Sequence, residues 1–156
     1  YIDISIGNIV SSYRDTNGRT VRVFEYLRVI DSYRFMLAPL ATLAENLPQD
    51  KIHFLNQHFS NRYTETQIQL LHRKGCYPYS YMSSFDKFQE QSLPPLQCWI
   101  DPLSDNKLQI TSHEFNQAKQ VFDTFHCQKL GDYHDLCLTT DTFILACVFE
   151  AFVKVG

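Results

Sequence analysis

The pattern of apolar and polar positions divides the chain into a β-rich beginning and a helical remainder. Two apolar, β-branched runs cover residues 2–9 and 20–30, and the polar stretch between them contains Asn17-Gly18, a strong tight-turn signal. In the second run Val21, Val23, Leu27 and Val29 alternate onto one face, as in a strand. The pattern therefore predicts a β-hairpin with a long second strand.

Beyond residue 36 the apolar spacing changes to that of helices. Helical segments are predicted at 37–47, 64–72, 83–91 and 112–126, a loop at 50–61, and a loop or short strand at 99–108. The stripe on the segment 112–126 is typical of a core-facing helix and consists of Phe115, Ala118, Val121, Phe122 and Phe125. The predicted class is therefore α/β, with a β-hairpin followed by mostly helices.

The last predicted helix covers residues 130–152 and is strongly apolar. Gly131 ends the preceding segment, Asp132 is the predicted N-cap, and Asp135 complements the positive end of the helix dipole. Asp141 lies in the middle of the helix, where a buried charge is costly unless it is paired or binds a metal. The Asp141 side chain therefore has a structural explanation, in which it pairs with a Lys or Arg or points to water, or a functional one. Helical spacing puts His134 and Cys137 on the same face as Asp141.

Composition and charge narrow the class of protein. The chain of 156 residues is long enough for one domain with a core, and it has no uninterrupted run of eighteen apolar residues, so we expect no membrane span. The net charge of −3 divides into +2 up to Lys74 and −5 beyond it, with five arginines between Arg14 and Arg34. An anionic partner is therefore expected at the first half, unless these arginines form only a solvated face.

The cysteines and the two ends of the sequence carry further expectations. Five cysteines at wide spacing, without a C-x-x-C, indicate reduced thiols in an intracellular protein rather than a zinc site or disulfides.

The sequence begins at Tyr1 without Met and stops just after a helix, so we expect a piece of a longer protein that is truncated at both ends. Nucleus, organelle and viral factory remain open as locations.

Three segments together resemble one protein family. They are Lys74-Gly-Cys-Tyr-Pro-Tyr-Ser-Tyr-Met82 with Leu93-Pro-Pro95, Leu130-Gly-Asp-Tyr-His-Asp-Leu136 with Thr140-Asp141, and Ile30-Asp-Ser-Tyr-Arg-Phe-Met36. They resemble the exonuclease region of protein-primed family B DNA polymerases, as found in polinton-like mobile elements, related viruses and linear organellar plasmids. The resemblance runs from about Ile30 to Phe152. It implies that residues 1–156 form a single domain, part of a ribonuclease-H-like 3′–5′ exonuclease domain in a larger DNA-directed DNA polymerase.

The resemblance also implies a chemistry that depends on two divalent metals. Two Mg²⁺ or Mn²⁺ ions about 3.5–4 Å apart activate a water and stabilise the leaving oxygen of a phosphodiester, and such ions prefer carboxylates. The family supplies these from three motifs, of which the third is Tyr-x-x-x-Asp on a helix. Asp141 stands at the metal-binding Asp, and Cys137 stands where the Tyr orients the attacking water. The other two acidic motifs would precede Tyr1, so we expect the chain alone to be inactive.

Contacts with DNA are the last implication of the resemblance. Ser32 and Tyr33 match a family motif that binds the single-stranded primer end, and Lys74 matches a basic residue near the exonuclease site. The implied partners are DNA as primer and template, with dNTPs and a terminal protein for the whole polymerase, and no membrane. Cys137 and Cys147, which stands where the family more often has Asp, favour an alternative. In that alternative the chain is a non-enzymatic remnant of a mobile-element polymerase with at most DNA-binding capacity.

Overall fold

The computed structural model of the protein describes residues 3–31, 35–100 and 110–155. By its contacts the chain divides into two compact units, which cover Tyr1–Ala38 and Pro39–Gly156. The architecture is mixed α/β, with an antiparallel hairpin followed by helices, and this coarse prediction is confirmed. The single domain over residues 1–156 stays a prediction, because a division by contacts does not test whether both units belong to one polymerase region.

The first unit contains the hairpin. Strand β1 is Asp3–Arg14 and pairs antiparallel with β2, Thr20–Ile30. The turn uses Gly18 at φ 76°, in the left-handed region that glycine adopts without strain. The Asp15 carboxylate accepts hydrogen bonds from the backbone N–H groups of Asn17 at 2.9 Å and Arg19 at 2.8 Å, which closes the turn. The first strand is longer than the predicted run 2–9, because the polar residues that follow continue the ladder beyond a register shift at Ile9/Ser11.

The second unit is helical. Its α-helices are α1 (Leu40–Glu45), α2 (His53–Phe59), α3 (Glu65–Ile68), α4 (Ser112–Thr124) and α5 (Leu130–Val155). Short 3₁₀ helices occur at Gln49–Lys51, Gln69–Leu71, Phe85–Gln89 and Leu96–Cys98. Helix α5 contacts α1, α2 and two of these 3₁₀ helices, so it is the element around which the unit packs.

The core of this unit forms along one face of α5. That face recurs at helical spacing and consists of Leu130, Tyr133, Thr140, Ile144, Cys147 and Val148, all buried. Trp99 is 1% exposed, its indole N–H donates to the Pro94 carbonyl at 2.8 Å, and its ring meets that of Tyr133 edge-on. Burying such a side chain removes on the order of 200 Å² of surface from water. This burial contributes roughly 5 kcal/mol of hydrophobic stabilisation.

Three predicted elements differ from the structure. The segment 50–61, predicted as a loop, contains α2, because Leu55 and Phe59 lie four residues apart and both are buried. The helix predicted at 37–47 begins only at Leu40, with Pro39 as its N-cap residue. The helix predicted at 83–91 is the 3₁₀ helix Phe85–Gln89. Of the segment 99–108, residues 101–108 lie outside the described residues.

Helix α4 matches its prediction closely. Thr111 precedes it and forms a capping box with Glu114, whose carboxylate accepts from the Thr111 N–H at 2.7 Å. At the other end His126 has φ 56°, and the Cys127 N–H donates to the Phe122 carbonyl at 3.0 Å. This is a Schellman ending with histidine in the position that usually takes glycine.

The start of α5 corrects two predictions. The helix begins at Leu130, so Asp132 is not its N-cap. Asp132 lies in the first turn, where its carboxylate accepts from the N–H groups of Gln128 at 2.8 Å and Lys129 at 3.1 Å. Gly131 is also helical and not a breaker. A Cβ there would lie 3.0 Å from the Phe88 carbonyl oxygen, so glycine permits the close approach of the segment 85–89.

Helix α5 also bears on the expectation about membranes. Residues Leu130–Lys154 are long and apolar enough to cross a membrane by length and composition, and no other helix of the described residues passes that test. The expectation from uninterrupted apolar runs missed this because polar residues such as Asp141 interrupt the sequence. A core helix passes the same test, and one face of α5 packs in the core described above. Beyond this helix, the described part of the chain gives no indication of a membrane.

Candidate functional site

The predicted face of α5 borders a cavity. Its volume is about 110 Å³, and it is lined by Gly75, Tyr77, Tyr79, His134, Cys137, Leu138 and Asp141. The cavity lies between α5 and the extended segment 73–79, so it joins two of the segments that carry the family resemblance. The structure confirms that His134, Cys137 and Asp141 share one face, as their spacing predicts.

Asp141 lies half-buried beside the core face of α5. Its Oδ1 atom is shielded from solvent and has no hydrogen-bond partner among the described residues. Burial raises the pKa of the carboxyl above its ordinary value, and the positive charge of Lys74 opposes that shift. A shielded carboxylate oxygen without a partner is costly, and perturbed carboxyls are frequent at functional sites. No Lys or Arg of the described residues forms an ion pair with Asp141, so of the two structural alternatives the one in which the side chain points to water stays beside a function.

Cys137 lies one turn before Asp141, and Tyr133 lies one further turn toward the N-terminus. Burial raises the pKa of the thiol to about 12, and the negative charge of Asp141 adds to the shift. A thiol in this environment is protonated and inert at neutral pH. It is also a weak hydrogen-bond donor, so it does not replace a phenol in orienting a water molecule.

Tyr77 and His134 form a polar contact across the cavity. The phenol oxygen of Tyr77 lies 2.7 Å from Nδ1 of His134, and the edge of the Phe88 ring meets the imidazole with centroids 4.8 Å apart. Burial raises the pKa of the Tyr77 phenol to about 12. Tyr79 packs edge-on against Tyr77 and is 45% exposed. These contacts fix the wall of the cavity opposite Asp141.

The predicted DNA-binding residues are only partly within the described chain. Ser32 and Tyr33 lie outside the described residues. Lys74 is half-buried and lines a second cavity of about 50 Å³, whose wall also includes Cys137 and Thr140. Lys74 is close enough to Asp141 to influence its pKa, so the structure brings these two predicted site residues into one neighbourhood.

The described residues do not form a metal site by themselves. Among them no group of three or more His, Cys, Asp or Glu side chains is arranged to hold an ion. Of the described residues that line the cavity, Asp141 is the one carboxylate, the neighbouring thiol is protonated, and Nδ1 of His134 faces Tyr77. Mg²⁺ and Mn²⁺ prefer several oxygen ligands, so the donor set of this cavity does not fit a two-metal centre.

The sequence reasoning missed two features of this region. Tyr133 is 1% exposed and donates its hydroxyl to the Cys76 carbonyl at 2.7 Å, which fastens the segment 73–79 to α5. Thr140 is buried and its Oγ1 has no hydrogen-bond partner among the described residues. Tyr133 could have been identified, because it stands four residues before Cys137 on the apolar side of the helix. The sequence contains no signal for the unpaired Thr140 hydroxyl.

Comparisons of the chain with models of protein families, with curated proteins and with solved structures found no match. The family resemblance therefore rests on the quoted residues of this sequence, and the polymerase assignment is a proposal.

Proposed function

We propose that this chain is part of the 3′–5′ exonuclease region of a protein-primed family B DNA polymerase, a DNA-directed DNA polymerase. In this proposal the hairpin and the helices belong to a ribonuclease-H-like domain. The observation that carries the proposal is Asp141, a half-buried carboxyl in the middle of an apolar helix, with one shielded oxygen that has no hydrogen-bond partner in the described part of the chain. A charge in that position lowers stability, so its presence favours a function over a structural role.

The surroundings of Asp141 support this assignment without completing the site. The cavity beside Asp141 is also lined by Gly75, from one segment of the resemblance, and by His134, from another. In the proposal Asp141 contributes one carboxylate, and the acidic residues that complete a site for Mg²⁺ or Mn²⁺ lie elsewhere in the longer polymerase. For this reason the chain alone should not degrade DNA. Degradation of single-stranded DNA by the chain alone that depends on a metal and on Asp141 would contradict the proposal.

A second candidate function is a non-enzymatic remnant of a mobile-element polymerase with at most DNA-binding capacity. The specific observation in its favour is Cys137, whose half-buried thiol has a raised pKa and, by the resemblance, stands at the position of the water-orienting Tyr. The two candidates differ in the flanking reading frame. An active polymerase requires further acidic exonuclease motifs upstream and an Asp-Thr-Asp-type palm motif downstream, whereas a remnant has stop codons or frameshifts there.

The decisive experiment expresses the longest reading frame that contains this chain. Degradation of a 5′-labelled single-stranded primer is measured with Mg²⁺ or Mn²⁺, beside primer extension with dNTPs. We expect Asp141→Asn to lower degradation at least tenfold and to leave extension within about twofold, because one metal ligand is lost. Asp135→Asn, an exposed position on the same helix, is the matched control. Equal degradation by both variants, or a reading frame without extension activity, would refute the proposal.

A further inference from the structure

The hairpin has two faces of different chemistry. Strand alternation places one set of side chains on what we call the basic–aromatic face, namely Arg14, Arg22, Phe24, Tyr26 and Arg28. The opposite, apolar face carries Ile4, Ile6, Tyr13, Val23, Leu27 and Val29. All of these residues are exposed. Three of the five arginines between Arg14 and Arg34 therefore stand on one side of the hairpin.

The two aromatic rings of this face lie side by side. Phe24 and Tyr26 have ring centroids 6.0 Å apart and ring planes only 25° from parallel, and they are 45% and 66% exposed. Tyr26 pairs with Gly7 on β1, and a Cβ on Gly7 would lie 2.9 Å from the tyrosine ring. Because Gly7 has no side chain, the Tyr26 ring can lie across the neighbouring strand. The result is a pair of accessible aromatic surfaces in nearly one orientation.

Arginines flank these rings at strand spacing. Arg22 stands two residues before Phe24, and Arg28 stands two residues after Tyr26, which corresponds to about 7 Å along a strand in each case. The residues that pair with Arg22, Tyr26 and Arg28 are Ser12, Gly7 and Ser5, which are small and uncharged. From the pair Ser5–Arg28 to the pair Arg14–Thr20 this face carries no carboxylate, and Asp3, which pairs with Ile30, is the next position on the same face beyond Arg28. Positive charges therefore stand at both ends of the aromatic pair.

We propose that the basic–aromatic face binds single-stranded DNA, with bases stacking on Phe24 and Tyr26 and phosphates held by the arginines. Stacking platforms beside cationic side chains are the usual chemistry of single-strand binding, and the charge of the face is complementary to the phosphate backbone. Duplex DNA keeps its bases stacked on one another and cannot use these rings. The surface is inferred from the hairpin alone. Only the choice of DNA over RNA rests on the proposed polymerase function.

The test is a fluorescence anisotropy titration of fluorescein-labelled dT₁₅ with the whole chain between 50 and 200 mM NaCl. We expect Tyr26→Val to weaken binding about tenfold, the value of one lost base–aromatic stack, and to leave the salt dependence unchanged. Tyr13→Val removes a tyrosine of similar exposure, 58% against 66% for Tyr26, from the apolar face and should stay within about twofold of wild type. Arg22→Gln should reduce the slope of log K against log [NaCl] by about 0.7, because one phosphate contact is lost. Arg62→Gln removes an exposed arginine from the other unit and should leave that slope unchanged.

Several results would overturn the inference. They are equal losses for Tyr26→Val and Tyr13→Val, equal affinity for a duplex of the same length, or competition by polyglutamate as effective as by unlabelled dT₁₅. Tighter binding of U₁₅ RNA would overturn the choice of DNA and leave the surface in place. Circular dichroism checks that each variant is folded. If Tyr26→Val is not folded, wild type is photocrosslinked to dT₁₅ that contains 5-iododeoxyuridine. The proposal requires crosslinks at Phe24 or Tyr26, and crosslinks confined to other residues would refute it.

Discussion

Replacing Asp141 by Asn should make the isolated chain more stable at pH 7. The substitution keeps the size of the side chain and removes the charge of a carboxyl whose Oδ1 is shielded and has no hydrogen-bond partner within residues 3–31, 35–100 and 110–155. A buried polar group without a partner costs about 1–3 kcal/mol. The amide remains polar and the attraction of Lys74 is lost, so we expect the lower end, a gain of about 1 kcal/mol in the free energy of unfolding. For a chain of this size that corresponds to a rise of roughly 2–4 °C in the melting temperature.

The gain should depend on pH in a defined direction. Burial raises the pKa of folded Asp141 above the ordinary aspartate value, so between the two pKa values the folded state binds more protons than the unfolded state. The stability of the wild type therefore falls as pH rises through that interval, and the variant lacks this loss. The difference between the two proteins should be smaller at pH 4 than at pH 7, because pH 4 lies close to the ordinary aspartate pKa of 3.8, where the interval over which the charge costs stability begins.

The assay is urea unfolding followed by circular dichroism at pH 4 and pH 7, with Asp135→Asn as the control. Asp135 is exposed on the same helix, and its substitution should change stability by less than about 0.5 kcal/mol. If Asp141→Asn destabilises the chain, or if its effect equals that of the control at pH 7, the carboxylate is satisfied in solution. The structural basis for treating Asp141 as a functional residue would then be lost.

Three further predictions concern packing and reactivity around α5. Leu130→Ala, at a fully buried position, should cost about 2–5 kcal/mol in urea unfolding, whereas Leu138→Ala, 59% exposed, should cost less than about 0.5 kcal/mol. Tyr133→Phe removes the hydroxyl that donates to the Cys76 carbonyl and should cost about 1–2 kcal/mol by the same measurement. Cys137 has a pKa raised to about 12, so little of the reactive thiolate is present at pH 8. Mass spectrometry should show that iodoacetamide alkylates it at least a hundredfold more slowly in the folded chain than in the urea-unfolded chain. Equal rates would show that folding does not shield the thiol.

The hairpin and the apolar helices could be predicted because their signals are local. Asn17-Gly18 sets the turn, and alternation along residues 20–30 sets the strand. The capping box at Thr111 likewise marks the start of α4. These features depend on residues within a few positions of one another, where spacing alone is informative.

The failures share a different cause, which is contact between distant parts of the chain. Helix α2 was missed because its two buried residues, Leu55 and Phe59, gain their role only by packing against other elements. Gly131 was interpreted as a helix breaker, whereas the close approach of Phe88 explains it. The common face of His134, Cys137 and Asp141 was predictable from helical spacing. The cavity opposite that face was not, because Tyr77 reaches it from more than fifty residues away in the sequence.

Helix α5 combines core positions with one charge, and this has a consequence for how the protein can change over time. The core positions Leu130, Ile144 and Cys147 are buried, so packing constrains them whether or not the chain has an activity. Asp141 lies beside these positions and carries a charge that opposes folding. Once selection for an activity ends, drift should remove Asp141 early and leave the core positions intact. A lineage of such chains would therefore record the loss of activity at Asp141 while it kept its fold.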